Sequence, residues 1–230
     1  VLMAALRHRR RTGKGMYIDV SQQESSVALM GPEVLAYQMT GEEPERRGNR
    51  SGWYAPANSY PCAGEDRWVT IATTNEKQWQ SLTQAMGAAG LAADPRFATL
   101  KGRRENHDDL DKIISKWTIG QDAYEITHKL QNAGVPSGPV LRGPDLLQDA
   151  HYKDRGTFVT VDHPQVGPKQ YPGIPWKMSA TPGTVRWPSP TLGQHNRDVY
   201  GELLGLTGPE IDLLEKTGTI GTKPTGSRII

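Results

Sequence analysis

Within the stretch Arg46-Arg47-Gly48-Asn49-Arg50-Ser51-Gly52-Trp53-Tyr54 lie groups suited to handling anions and carbonyls. Glycines let the backbone come close to a ligand, its N–H groups then act as donors, and arginine forks match carboxylates and phosphates. On chemistry alone the stretch reads equally as a functional loop or as a surface turn. Other candidate chemistries are weaker. The histidines His8, His107, His128, His151, His163 and His195 form no H-x-x-x-H pair and stand at no metalloprotease spacing from a carboxylate, so no metal site is expected. No G-x-S-x-G elbow prepares a serine nucleophile. Cys62 follows a proline and has no basic neighbour to generate its thiolate. Gly13 and Gly15 come after a helical segment and before an extended one, the reverse of a dinucleotide-binding turn. Arg7, Arg9, Arg10, Arg11 and Lys14 end a helical segment, where cations complement the dipole.

Such side chains need a scaffold, and the composition provides one. The chain has 230 residues, of which 36% are apolar, enough for a substantial core. Its 27 cations are nearly matched by 25 anions, which leaves no strong field to attract nucleic acid. No apolar run approaches the ~20 residues that span a bilayer. One cysteine excludes an internal disulfide and fits a reducing compartment, so a cytoplasmic location is expected.

The elements follow from periodicity. Val1 to Arg11 reads as the end of an alanine-rich helix without a capping side chain before it, stopped by Thr12-Gly13. Met16 to Val20 alternates as a short strand. Ser21 and Glu24 form a capping box for a helix carrying Val27, Met30, Val34 and Leu35, which Gly31-Pro32 should kink or split. A long polar loop runs from Gly41 to Pro61, well beyond the usual ~4–6 residues. Tyr60 to Cys62 and Trp68 to Ile71 flank Gly64-Glu65-Asp66 as a hairpin. Asn75 with Gln78 opens a helix bearing Trp79, Leu82 and Met86, ended by Gly87 or Gly90. Leu110, Ile113, Ile114 and Trp117 mark another, and Tyr124, Ile126, Leu130 and Ala133 a third. Val135 to Val140, with two prolines, is an extended crossing segment and a domain boundary. Phe158 to Val161 and Ile174 to Met178 are strand-like, two helices follow, Thr207 and Glu210 cap the last, and the tail from Thr217 frays.

Several segments in order resemble the family III CoA-transferases, the formyl-CoA transferase and carnitine CoA-transferase type. They are Ala4-Ala5-Leu6 through Gly15, Ser21 through Ser25, Arg47-Gly48-Asn49, Tyr54-Ala55-Pro56, Tyr60-Pro61, Gln78-Trp79, Asp94-Pro95-Arg96-Phe97, Ala133 through Val140, and Pro190 through Asn196. The resemblance covers Val1 to about Glu215 and implies an α/β fold: part of a Rossmann-like large domain, an inserted small α+β domain, and interlocked dimers. In that layout residues 1–45 belong to the large domain, 46–133 to the small one, and 134–230 return to the large domain.

The same resemblance implies an enzyme that moves CoA between carboxylic acids through acyl-enzyme intermediates. In the family the nucleophilic aspartate and most CoA-holding residues lie upstream of the segment matching Ala4 to Gly15. No catalytic residue is therefore assigned here, and the chain is expected to be a carboxy-terminal part, inactive alone. The loop residues Gly48, Asn49, Arg50, Ser51 and Gly52 are expected to bind substrate, with Arg50 able to meet a carboxylate. Acyl-CoA and a carboxylic acid are the expected partners, with no tightly bound cofactor. The assembly would be a homodimer at full length, or would include a chain supplying the amino-terminal half. Two other readings remain open: an α-methylacyl-CoA racemase type of enzyme, and a non-catalytic partner subunit of a split transferase.

Overall fold

A computed structural model describes residues 1–43 and 45–224. The chain divides into two units, Val1–Val140 and Leu141–Ile230, each of which is taken separately.

Unit one opens with helices α1 (Leu2–Thr12), α2 (Gln22–Leu29) and α3 (Gly31–Thr40). Gly13 ends α1 at φ 71, where its N–H donates to the Arg9 carbonyl, a left-handed position that glycine takes without a Cβ clash. At the start of α2 the Ser21 hydroxyl accepts the Glu24 N–H at 3.2 Å. Pro32 then begins a new helix, because it brings no donor to continue the old one. None of these three helices buries a residue, and Leu29 and Met39 are 84% and 77% exposed. The expected strand at Met16 to Val20 does not form: Tyr17 is 91% exposed, and no described segment pairs with that stretch. Alternation marks a face, but only a neighbouring strand's hydrogen bonds make a strand.

The core lies between Tyr60 and Val135. Strands β1 (Ala57–Pro61) and β2 (Trp68–Ala72) form an antiparallel hairpin that sets Tyr60 opposite Val69. β1 thus begins inside the stretch expected to be loop. Helices α4 (Glu76–Ala85), α5 (Leu100–Glu105), α6 (His107–Thr118) and α7 (Ala123–Asn132) follow, and β3 (Ser137–Pro139) adds antiparallel to β2. Trp79, Leu82, Leu110, Ile114, Ile126 and Leu130 are almost completely buried, as their helical spacing predicts. Burying one such side chain contributes on the order of 1.5–3 kcal/mol relative to exposure. The α4 cap differs slightly from the expected box. Asn75 accepts from Gln78 N–H at 2.9 Å, but the Gln78 carbonyl reaches past the cap to Thr74 N–H at 2.7 Å. The segment 135–140, read from the sequence as an extended crossing segment, pairs with β2 and joins the sheet.

Unit two holds α8 (Gly143–Gln148), α9 (Ala150–Asp154), a hairpin of β4 (Phe158–His163) with β5 (Gly167–Pro172), a π-helical turn at Asp198–Leu203, and α10 (Gly208–Lys216). Thr207 and Glu210 close the expected capping box on α10. The strand expected at Ile174 to Met178 lies instead at β5. Gly173 N–H turns back to the Thr157 carbonyl at 2.7 Å, Pro175 has no donor, and Ile174 rests against Gly183. The expected fraying from Thr217 is answered only in part: Thr217 bonds to the Leu213 carbonyl, Gly221 lies against Gly193, and residues 225–230 are outside the described residues. The chain is mixed α/β, and both sheets among the described residues are antiparallel. No helix among them is long and apolar enough to cross a membrane.

Candidate functional site

The loop that precedes β1 is fixed at two points. The first is Arg50. Its Nε and Nη2 donate to Asp111 Oδ2 at 3.0 and 2.7 Å, and Nη2 also donates to Asp108 Oδ1 at 2.6 Å. Asp111 sits on the face of α6 that meets β1, where it also accepts from Tyr60 OH at 2.9 Å and Asn58 Nδ2 at 3.0 Å. A carboxylate with its lone pairs this fully used is a strong tether, since charge-assisted bonds are stronger than neutral ones. The Arg50 guanidinium is held above its ordinary pKa, chiefly by the bond to Asp108, and that bond holds Asp108 below the usual carboxylate range. Burial, and after it the Asp111 charge, pushes the Tyr60 phenol up, so it remains a donor.

The second point is Ala55, whose carbonyl accepts Arg103 Nε at 2.7 Å and the Thr73 hydroxyl at 3.2 Å. Arg103 is 2% exposed. It also donates to the Phe97 carbonyl, makes a bidentate pair with Glu76 at 3.1 and 2.8 Å, and lies 5.0 Å above the Trp79 ring. An interior arginine is tolerable only when its donors are satisfied in this way.

Around those anchors the loop makes its own turns. Arg50 N–H donates to the Arg47 carbonyl at 3.1 Å, and Ser51 Oγ accepts from the N–H groups of Trp53 and Tyr54 at 3.0 and 3.2 Å. Gly48 takes φ 59. The backbone N–H groups of Gly48, Asn49, Ser51 and Gly52 have no protein acceptor among the described residues. Asn49 borders a groove of about 510 Å³ that runs over β1, β2 and β3, with Asn58, Ser59, Thr70, Ser137 and Gly138 in its walls. Arg46, Arg47, Arg50, Ser51 and Gly52 line a second hollow with Arg104 and His107. His107 is 9% exposed and its Nε2 is buried without a partner; burial pushes its pKa down and keeps the ring neutral.

The five expected loop residues are therefore brought together, with one change of circumstance. Arg50, expected to be able to meet a substrate carboxylate, spends its fork on Asp108 and Asp111. Of the residues that hold the loop, Asn58, Arg103, Asp108 and Asp111 carry no expectation from the sequence, and Tyr60 is marked there only as part of a hairpin and a family segment. Their signal is faint: Asp111 follows Leu110 in an apolar stripe, and Arg103 looks like any exposed cation of a short helix. Cys62 is buried, donates weakly to the Tyr60 carbonyl, and has its thiol pKa raised by burial, none of which suits a nucleophile. No group of three His, Cys, Asp or Glu side chains stands at metal-ligand spacing among the described residues.

The chain matches the profile of CoA-transferase family III over residues 1–196 and belongs to that family. It is 37% identical over 213 residues to the succinyl-CoA–D-citramalate CoA-transferase of Chloroflexus aurantiacus, an alignment that covers 93% of this chain and 53% of that one. It is 29% identical over 220 residues to the β subunit of succinyl-CoA–L-malate CoA-transferase from the same organism, covering 95% and 54%. Its fold matches the crystal structure of a CaiB/BaiF family protein from Brucella suis with a TM-score of 0.74 at 29% identity, covering 88% of this chain and 52% of the other. The chain spans about half the length of the curated relatives it matches.

Proposed function

We infer that this chain is the substrate-side portion of an enzyme that transfers CoA between carboxylic acids, with an acyl-CoA and a free acid as its two substrates. The observation that carries the reading is the loop Arg46 to Tyr54. It is pinned through Arg50 and Ala55, presents N–H groups without protein acceptors, and places Asn49 at the rim of the strand groove. Preorganised backbone donors of this kind stabilise an oxygen on which charge develops, and a held loop keeps water away from a reactive acyl intermediate.

The nucleophile is a separate matter. In the family the aspartate is expected upstream of the segment matching Ala4 to Gly15, and within this chain Asp108 and Asp111 are both committed to Arg50. In our reading it is supplied by polypeptide carrying the amino-terminal half of the family fold, joined to this chain or provided by a partner. The apolar faces of α1, α2 and α3 support this, because side chains such as Leu2, Leu29 and Met39 have nothing covering them here. The same faces suit a Rossmann-like large domain and an interlocked dimer, with 1–45 and 134–230 belonging to that domain. The relative named for an α/β-type division of subunits, a succinyl-CoA–L-malate transferase β subunit, makes a partner chain a natural arrangement. We place the enzyme in the cytoplasm, where reducing conditions keep Cys62 a thiol.

The test is transfer itself. The purified chain is incubated with succinyl-CoA and a dicarboxylic acceptor, alone and with polypeptide carrying the amino-terminal half, and CoA esters are followed by chromatography. Transfer is expected only in the mixture. Turnover by the chain alone would remove the reading, as would an inert, correctly folded complex. Deuterium entering the α carbon of a methyl-branched acyl-CoA without any acceptor acid would instead mark a racemase.

A further inference from the structure

The hollow behind the loop holds more cationic groups than the fold uses. It has a volume of about 490 Å³ and is lined by Arg46, Arg47, Arg50 and Arg104 with His107, against a single carboxylate, Glu45. Arg50 is consumed by the tether to α6. The side chains of Arg46, Arg47 and Arg104 have no ion pair or hydrogen bond among the described residues. Nearby acids do not neutralise them: Asp108 is engaged by Arg50, and Asp109 by Arg96 and Lys112. Like charges held together without counter-charge repel one another, and an anion bound between them removes that repulsion.

Two further features lie beside the same hollow. α6 begins at His107, one of the lining residues, and its cap residue Asn106 makes no side-chain capping bond. His107, in the hollow's wall, has a ring nitrogen that is buried and unpartnered, whereas most buried polar atoms find a partner. Gly52 also matters. Its missing side chain leaves room for the Arg47 guanidinium, since a Cβ there would collide with Arg47 Nη1.

We propose that Arg46, Arg47 and Arg104 form an oxyanion-binding subsite in this hollow, distinct from the strand groove. Its ligand is a carboxylate or phosphate bound by guanidinium forks. Two sources have this chemistry: the free carboxylate of a dicarboxylic acyl substrate, and the phosphates of the CoA carrier. The choice between those sources rests on the transferase reading above, while anion binding does not. In either case Arg50 sets the loop and its neighbours hold the charge, while Asn49 borders the groove.

The experiment is a titration of the 230-residue chain at low salt, followed by calorimetry and amide NMR shifts, with succinate in one arm and adenosine 3′,5′-bisphosphate in the other. Saturable binding of succinate identifies the acyl end, and binding of the bisphosphate identifies the carrier. Arg47→Ala and Arg104→Ala should each weaken binding roughly two- to fivefold, as expected for exposed charge pairs. Gly52→Ala should weaken it without changing charge. Arg10→Ala, in the exposed basic end of α1, should leave it unaltered. Circular dichroism checks that each variant is folded. If neither anion binds, or if the Arg47→Ala, Arg104→Ala double variant binds like the parent, the subsite does not exist. Anion binding without transfer in the assembled enzyme would leave the subsite standing and remove the transferase reading.

Discussion

Asp111 shows how much can depend on one carboxylate. It joins α6 to β1 through Tyr60 and Asn58, and to the loop through Arg50. Replacing it with alanine leaves two β1 donors and a guanidinium without their acceptor, in a place where the Asp111 side chain is 14% exposed. Asp111→Ala should therefore destabilise unit one by roughly 2–4 kcal/mol, a loss read from the urea midpoint. The loop should also open: protease cutting between Arg46 and Tyr54 is expected to accelerate beyond what the global loss explains. Cleavage rising only in step with global unfolding would mean that the loop is held by other contacts. Arg103 has a comparable role at Ala55, but it is also built into the core through Trp79 and Phe97, so its removal cannot separate loop from fold.

At the scale of elements, local signals work where a helix carries its own cap and stripe. α4 is such a case: Asn75 and Thr74 bracket its start, while Trp79 and Leu82 are buried one turn on. Asn75→Ala should cost about 1 kcal/mol, typical for loss of a capping side chain, measured as a shift of the thermal midpoint with the far-ultraviolet signal preserved. No shift would mean that the Gln78–Thr74 bond carries the cap alone. Strands behave differently. The stretches Met16 to Val20 and Ile174 to Met178 both alternate well, yet neither is a strand, because each needs a partner that the described chain does not place beside it. β1 and β5, which contain prolines and polar residues, do form because β2 and β4 pair with them.

Across the whole molecule, stability is concentrated in one region. The buried apolar cluster runs from Tyr60 to Val135, α1 to α3 bury nothing, and in unit two Ile211 is the one buried apolar side chain among the described residues. Hydrogen exchange should follow this division. Amides of Leu110, Ile114 and Leu130 are expected to exchange only through global opening, and those of α1 to α3 to exchange rapidly in the isolated chain. Adding polypeptide with the amino-terminal half of the family fold should slow exchange in α1 to α3 without altering the core amides. Strong protection of α1 to α3 in the lone chain would mean that their apolar faces need no such cover.

The sequence by itself determined the core helices α4, α6 and α7, the β1–β2 hairpin and the capped start of α10. Each of these rests on local physics: capping bonds within four residues, helical spacing of apolar side chains, and turn residues at fixed offsets. Family membership was legible in the same way, as motifs in order. Only the tertiary structure decided that Arg50 is a tether rather than a free cation, that Arg103 is interior, and that residues 135–140 complete a sheet. These depend on partners 48 to 68 positions away, such as Arg103 with Ala55, Arg50 with Asp111, and Thr70 with Gly138. No local pattern encodes a pairing at that separation, because the energy that selects it arises only when the core has brought the two segments together.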